Sequence, residues 1–154
     1  MTEAAHTGGC QCGAVRFRAE RLGRASICHC RMCQKAFGAF FGPLVTAKGL
    51  EWTRGAPKTF QSSNKVKRGF CAECGTPLTY DYGGPVEVAI GAFDNPESAA
   101  PTVQVNPAEK LSFFERLHAL PVRPPDPKSA AFYADIVSYQ HPDHDTVDWR
   151  GGPR

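Results

Sequence analysis

Residues 71–76 read Cys71-Ala72-Glu73-Cys74-Gly75-Thr76, a Cys-x-x-Cys pair followed by glycine. In such a turn two sulfur atoms can reach one metal ion, and the glycine permits the chain to reverse. Two further groups precede it, Cys10-Gln11-Cys12-Gly13 and Cys28-His29-Cys30-Arg31-Met32-Cys33. Together the three groups contain all seven cysteines of the 154-residue chain. The sequence therefore predicts a fold organised around metal-binding cysteines.

Zinc suits such groups because it takes four sulfur or nitrogen ligands in a tetrahedron. A Cys-x-Cys pair on an extended segment presents both sulfurs to one side, because strand side chains repeat every second residue. Cys10 and Cys12 can therefore join Cys71 and Cys74 in a closed structural site that ties together residues about 60 apart. Spacing alone leaves a second pairing open, in which the first two groups form the closed site and the third group stays open.

In the first pairing, the middle group stands apart as a three-cysteine site. Cys28 and Cys30 can share one face at the end of a strand, and Cys33 can return to them from the first turn of a helix. Three thiolates hold zinc but leave one coordination position free, which is typical of catalytic or ligand-binding sites. A substrate thiol bound at that position would be deprotonated.

The bulk composition predicts one soluble globular domain. Hydrophobic residues make up 42% of the chain and charged residues 21%, enough to bury a core without cross-links. No segment reaches the roughly 18 apolar residues of a membrane span, and the first nine residues lack the features of a secretory signal. We therefore expect a reducing, cytoplasmic location, where cysteines bind metals in preference to forming disulfides. The odd number of cysteines agrees with this expectation.

Short apolar runs separated by turn signals predict a mainly β fold. Alternation of apolar and charged residues indicates a strand over 15–20. Further strands are predicted at 40–46, 65–70, 78–82 and 86–92, the last two joined by a hairpin at Gly83-Gly84-Pro85. Helices are predicted near 31–37 and at 108–117.

The chain is predicted to form a single domain over 1–154, with a core at about 8–121. Residues 122–154 are predicted to comprise a proline-rich crossing, an appended helix and a polar tail. Asp126 can cap this helix with Pro127 at its first position, and the helix is expected to run to Tyr139 and to pack on the domain. The tail from His141 onward is expected to be loose.

The motifs at 9–13, 28–35 and 70–76 occur in an order and spacing that resemble the glutathione-dependent formaldehyde-activating enzyme family, which includes the centromere protein V domain. The resemblance covers roughly residues 8–121. It implies a small zinc-bound, tent-like β fold shared with Rab-exchange-factor-like zinc proteins. It also implies two Zn²⁺ ions, a structural ion bound by Cys10, Cys12, Cys71 and Cys74 and a catalytic ion bound by Cys28, Cys30 and Cys33.

The resemblance further implies a carbon–sulfur lyase type of activity. Its substrate would be a small-molecule thiol, such as glutathione, or the adduct of that thiol with a small aldehyde such as formaldehyde. Where the family often has a histidine and later a tryptophan, this chain has Pro101-Thr102-Val103-Gln104-Val105 and Phe113-Phe114. This end of the domain is expected to border the substrate pocket.

The alternative function is a non-catalytic zinc-binding module that recognises protein or nucleic acid. Nucleic acid is not expected, because the chain lacks a long basic arm. Its formal charge of +3 would fall to near zero with seven thiolates and two zinc ions bound.

Several other residues have a structural interpretation beside a functional one. His29 is expected to turn away from the metal, because side chains alternate along an extended segment. Lys35 could steer an anionic thiol or lie in solvent. Phe37, Phe40 and Phe41 could line a pocket near the three-cysteine site, but they are expected to pack in the core. The basic run at 65–68 is expected to be an exposed strand rather than an anion site, and His141 to Asp145 an exposed tail rather than a third metal site.

Overall fold

A computed structural model describes residues 4–149 of the chain and confirms the mainly β fold with a short C-terminal helix. The described part contains ten strands in two sheets and two α-helices, none of them long and apolar enough to cross a membrane. The strands are β1 (His6–Gly9), β2 (Arg16–Ala19), β3 (Arg21–Cys28), β4 (Gly42–Lys48), β5 (Glu51–Arg54), β6 (Lys58–Gln61), β7 (Lys67–Phe70), β8 (Pro77–Asp81), β9 (Glu87–Ala89) and β10 (Val103–Val105). The helices are α1 (Arg31–Phe37) and α2 (Pro127–Ala134).

The smaller sheet has the order β1-β2-β5, and the larger sheet has the order β10-β3-β4-β9-β8-β7-β6. All neighbouring strands pair antiparallel except β10, which runs parallel to β3. This pairing places Val105 beside Cys28 and so brings the segment after β10 to the middle cysteine group.

The core lies between the two sheets. Phe17 of β2 is fully buried and makes edge-to-face ring contacts with Trp52 and Phe93. Val45 of β4 lies opposite Ala25 and Val88, all three buried in the same cluster. Because directly paired residues share a face of a sheet, this row packs towards the core.

A row of polar residues crosses the other face of the larger sheet. Glu87 of β9 lies opposite Thr46 on one side and Tyr80 on the other, and Tyr80 in turn lies opposite Arg68 of β7. Directly paired side chains stand about 5 Å apart. The row therefore forms a continuous polar surface, which becomes the floor of the candidate site.

The prediction of a helix at 108–117 is wrong. Two 3-10 turns replace it, Pro107–Glu109 and Phe114–Ala119. Asn106 precedes the first turn with a φ of 53°, a left-handed conformation that starts no α-helix.

Helix α2 begins as predicted, because the Asp126 side chain accepts hydrogen bonds from the Lys128 and Ser129 amides. It ends at Ala134 instead of Tyr139, and it is not packed on the domain. Phe132 and Tyr133 are 65% and 63% exposed. A helix of two turns without tertiary packing has too few hydrogen bonds to extend further.

The tail from His141 is docked, contrary to the expectation of a loose segment. His141 is buried, and its amide donates to the Gln11 carbonyl at 2.8 Å. The Asp145 carboxylate accepts from the buried Arg16 guanidinium at 2.6 Å, and the Trp149 indole donates to the Cys12 carbonyl at 2.8 Å. The tail docks because it satisfies a buried cation and backbone groups of the first cysteine turn.

Candidate metal centres

The first and third cysteine groups converge on one cluster. The sulfurs of Cys10, Cys12, Cys71 and Cys74 all lie within 4.8 Å of one another. Two of the separations are 3.6 Å (Cys10 to Cys12) and 3.9 Å (Cys12 to Cys71). A tetrahedral zinc with four sulfur ligands at about 2.3 Å requires sulfur–sulfur separations of about 3.8 Å. The cluster therefore fits a closed zinc site, and the alternative pairing of the first two groups is not formed.

Both halves of this cluster are tight turns. Gly75 has a φ of 78° and donates to the Cys71 carbonyl at 2.9 Å, which is the predicted knuckle. Cys10 and Cys12 also lie on a turn, in which the Gly13 amide donates to the Cys10 carbonyl at 3.1 Å. The prediction that Cys10 and Cys12 lie on an extended segment is therefore wrong. The left-handed Gly13 (φ 76°) reverses the chain directly after β1.

The middle group forms a second cluster of three sulfurs, those of Cys28, Cys30 and Cys33, within the same 4.8 Å limit. Cys28 ends β3, Cys30 is the N-cap of α1, and Cys33 lies in the first turn of α1. The Cys30 sulfur accepts a hydrogen bond from the Cys33 amide at 3.4 Å. This confirms the predicted strand-end and helix-turn placement, which directs three sulfurs to one point.

Each sulfur of the three-cysteine cluster accepts a hydrogen bond, and two of the donors come from distant parts of the chain. The Asn106 side-chain amide donates to Cys28 at 3.2 Å, and the Arg68 guanidinium donates to Cys33 at 3.4 Å. Hydrogen bonds and a positive charge stabilise the thiolate over the thiol. The cluster is therefore built to hold ionised sulfur, as a metal site requires.

The position of Asn106 follows from the local fold. It comes directly after β10, whose last residue pairs with Cys28. The buried Gln34 of α1 donates to the Glu109 carbonyl at 3.0 Å, and the Glu109 carboxylate accepts from the Arg31 amide at 2.8 Å. These bonds hold the segment after β10 against the start of α1.

Hydrogen bonding also separates the pKa values of the thiols. A hydrogen bond from Cys33 lowers the pKa of Cys28 to about 5, and the Asn106 amide adds to the effect against burial. The same bond and burial raise the pKa of Cys33 far above its ordinary value. In the other cluster, burial is outweighed by hydrogen bonds from Thr76, which leave the pKa of Cys74 at about 6. Each cluster thus offers a metal one thiol that is already ionised at neutral pH.

The three-cysteine cluster opens onto a cavity of about 650 Å³, within the usual range for ligand sites. Its floor includes the polar row of Glu87, Tyr80 and Arg68, with the Arg68 guanidinium 5.0 Å from the Tyr80 ring centre. Val105 and Asn106 form part of its wall. Of the stretch that was expected to border the substrate pocket, Val105 lines this cavity, whereas residues 101–104, Phe113 and Phe114 do not.

Arg68 corrects one sequence interpretation. The run at 65–68 was expected to be an exposed basic strand, but Arg68 is buried between Tyr80, Ser62 and Cys33. Alternation along the strand leaves Lys67 exposed and turns Arg68 into the cavity.

The remaining candidates lie away from the sulfurs or have structural roles. His29 is fully buried, with Nε2 2.7 Å from the Gln104 side-chain oxygen, and Lys35 is exposed. Phe37 packs on the core as predicted, whereas Phe40 and Phe41 make ring contacts with Phe113 and Phe114. None of these five candidates lines the cavity among the described residues.

The comparisons with known proteins agree with this geometry. A family model described as glutathione-dependent formaldehyde-activating enzyme matches residues 5–108, more than half of the chain. The chain belongs to this family. The match includes both cysteine clusters, Arg68 and Asn106, whereas the family segment ends before α2 and the docked tail.

A crystal structure of a Rhodobacter sphaeroides protein, determined in a structural genomics project, has a similar fold. The TM-score is 0.50 at 22% sequence identity, over 64% of this chain and 99% of the other chain. At that identity the similarity concerns the fold alone. The family model assigns the chain to its family, and the chemistry has to be argued from the residues of this chain.

Proposed function

We propose that this chain is a zinc-dependent enzyme of the carbon–sulfur lyase type. It acts on adducts of a thiol, glutathione or a similar molecule, with a small aldehyde. The observation that carries the proposal is the three-cysteine cluster, which lines a cavity large enough for such an adduct. The family description names glutathione and formaldehyde, which supports this choice of substrates.

Two zinc ions are the proposed cofactors. Cys10, Cys12, Cys71 and Cys74 are proposed to hold a structural ion, and Cys28, Cys30 and Cys33 a catalytic one. When bound, the second ion supplies a free coordination position at which a substrate thiol loses its proton. The proposal also includes a single domain over 1–154. It further includes a reducing, cytoplasmic location, because free thiolates are kept under reducing conditions.

Arg68 and Asn106 offset the negative charge that this chemistry gathers. Three thiolates and a divalent ion carry one net negative charge, and a substrate thiolate adds another. The Arg68 cation contacts Cys33, and the Asn106 amide contacts Cys28. Both donors therefore favour the arrival of a fourth, negatively charged sulfur.

Tyr80 is the residue proposed to assist at the aldehyde oxygen. In adduct formation the substrate sulfur attacks the aldehyde carbon, and the carbon–oxygen π pair moves to the oxygen. That oxygen then takes up one proton, which balances the proton that the thiol lost. Cleavage of the adduct reverses these steps. Burial raises the pKa of Tyr80, so its hydroxyl keeps its proton and can donate a hydrogen bond to that oxygen.

The proposal is tested by NMR exchange between ¹³C-formaldehyde and its glutathione adduct, with the uncatalysed rate subtracted. The zinc-loaded protein should accelerate exchange, and Tyr80→Phe should slow it while glutathione binding is retained. Cys30→Ser should abolish the acceleration and remove one zinc equivalent without loss of the β-sheet circular dichroism. No acceleration by protein with two bound zinc ions would reject the enzyme and favour the non-catalytic module.

A further inference from the structure

A buried carboxylate lies in the floor of the cavity, and its counter-ion is held at a long distance. The Glu87 side chain is only 9% exposed, and its oxygen is 3.4 Å from a guanidinium nitrogen of Arg24, a long contact for an ion pair. The Arg24 side chain is 59% exposed. Among the described residues, Arg24 is the cation within ion-pair distance of Glu87. A buried carboxylate with one weak partner is costly, so the pair is suited to receive further charges.

Both residues belong to the cavity that holds the three cysteines. Glu87 lies on β9 in the polar row with Tyr80 and Arg68. Arg24 lies on β3, on the same strand as Ser26 and Cys28, which also line the cavity. Ser26 and Cys28 share a face because side chains alternate along the strand, and Arg24, which lies at the register shift between Leu22 and Ala25, also lines the cavity. The charged pair and the sulfurs therefore face one space from opposite ends.

The strand register fixes the distance between these ends. Cys28 on β3 pairs with Gly42 of β4, and Glu87 on β9 pairs with Thr46 of β4. Glu87 is therefore two strands across the sheet from Cys28 and four residues away along the strand direction. Regular sheet geometry then places the Cα atoms of Cys28 and Glu87 about 16 Å apart, with both side chains reaching into the cavity between them. A ligand that touches both ends must carry its charges many bonds from its sulfur.

We propose that Arg24 and Glu87 recognise the α-amino-acid head group of the substrate thiol, its ammonium at Glu87 and its carboxylate at Arg24. This proposal rests on the proposed function, because it assumes that the thiol sulfur binds at the three-cysteine cluster. The pair selects thiols in which an amino-acid head lies about eight bonds, or roughly 10 Å, from the sulfur. A two-carbon aminothiol is too short to reach it.

The test measures binding of three thiols to the cobalt-substituted protein by visible absorption and by calorimetry. The probes are glutathione, its N-acetyl derivative and cysteamine. Wild type should bind glutathione about 10-fold more tightly than the N-acetyl form, since a charge-assisted contact to a buried carboxylate is lost. Glu87→Gln should bring this ratio close to one and leave cysteamine binding unchanged. Glu51→Gln, an exposed carboxylate on β5, is the matched control and should behave as wild type.

Arg24→Gln provides a second arm, because Arg24 is largely exposed and its loss spares the core. Glutathione binding should weaken about 10-fold, while the preference over the N-acetyl form persists. A Glu87→Gln protein with the wild-type ratio, or an Arg24→Gln protein with wild-type glutathione affinity, would overturn the head-group proposal alone. If none of the three thiols perturbs the wild-type cobalt spectrum, the proposed function falls and the head-group proposal falls with it.

Discussion

At the scale of single residues, the two cysteine clusters differ in the groups that reach their sulfurs. Asn106 and Arg68 donate side-chain hydrogen bonds to the three-cysteine cluster. In the four-cysteine cluster, the Cys10 sulfur accepts from the Val15 backbone amide at 3.2 Å, and the Cys74 sulfur lies 3.1 Å from the Thr76 hydroxyl. Arg68 brings a positive charge to its cluster, whereas Val15 and Thr76 bring neutral donors to the other. These surroundings support the proposal that the three-cysteine cluster is the reactive site.

Replacing Arg68 should weaken metal binding at one site only. Arg68→Met retains the bulk of the side chain but removes the charge and the hydrogen bond to Cys33. We expect one of two zinc equivalents to bind about 10-fold more weakly, as is usual when an outer partner of a ligand is lost. Chelator competition with a colorimetric zinc indicator resolves the two sites. Lys67→Met, exposed on the same strand, is the control, and identical zinc release by the two variants would contradict this role.

The seven cysteines and their grouping were accessible from the sequence, because ligand spacing is a local property. The donors were not. Arg68 is 35 positions from Cys33, and Asn106 is 78 positions from Cys28. Only the pairing of β10 with β3 and the path of β7 bring them to the sulfurs. The alternation of residues 65–68 signals that one basic side chain faces inward, and the exposed interpretation of the run overlooked it.

At the scale of elements, the tail at 141–149 closes over the four-cysteine turn. It provides a carboxylate to Arg16, an indole to the Cys12 carbonyl, and a ring contact between His141 and Trp149 with centres 5.3 Å apart. A Cβ atom at Gly13 would collide with both rings. The turn and the tail therefore fit each other closely, and the tail covers the turn of the four-cysteine cluster.

Removal of residues 141–154 should destabilise the domain by about 2 kcal/mol, since several partly buried hydrogen bonds are lost and Arg16 loses one carboxylate. Zinc release from the four-cysteine site should accelerate as well. Urea unfolding followed by circular dichroism measures the first effect, and a zinc indicator measures the second. A truncation that removes only 150–154 is the control. Equal unfolding midpoints for the two truncations would show that the tail contributes nothing.

The docked tail should also respond to pH through His141. Burial, with Arg16 nearby, lowers the pKa of His141 below its ordinary 6.5. Since the unfolded state binds this proton more readily, His141 stabilises docking fully above pH 6.5 and progressively less as the pH falls below it. Protection factors of the tail amides, which are corrected for the intrinsic pH dependence of exchange, should therefore decrease between pH 7 and 5. His141→Gln should flatten this dependence and the exposed His144→Gln should not; the reverse result would contradict it.

Among the elements, those with clear alternation or turn signals were predictable, such as β2, β8 and the start of α2. Strand β3 was not, because Gly23 and a register shift between Leu22 and Ala25 interrupt its pattern. The tail was missed for a related reason. Its residues are polar, and their burial depends on meeting Arg16 and the first cysteine turn, which lie more than 120 positions earlier.

At the scale of the whole molecule, the two faces of the larger sheet have different roles. One face packs against the smaller sheet, and the other carries the polar row below the cavity. The mainly β class followed from composition and turn signals. The strand order could not, since it depends on pairings between distant segments such as β10 with β3 and β4 with β9. That order decides which residues share the cavity with the cysteines.

The central claim is that one zinc site is closed and the other is open to a substrate thiol. Zinc X-ray absorption of the protein with two bound ions measures it directly. Four and three cysteine ligands predict an average of about 3.5 sulfurs per zinc. Glutathione should raise the average to about 4 in wild type and leave it unchanged in Cys33→Ser. An average of 4 before glutathione is added, or no change on addition, would contradict the claim.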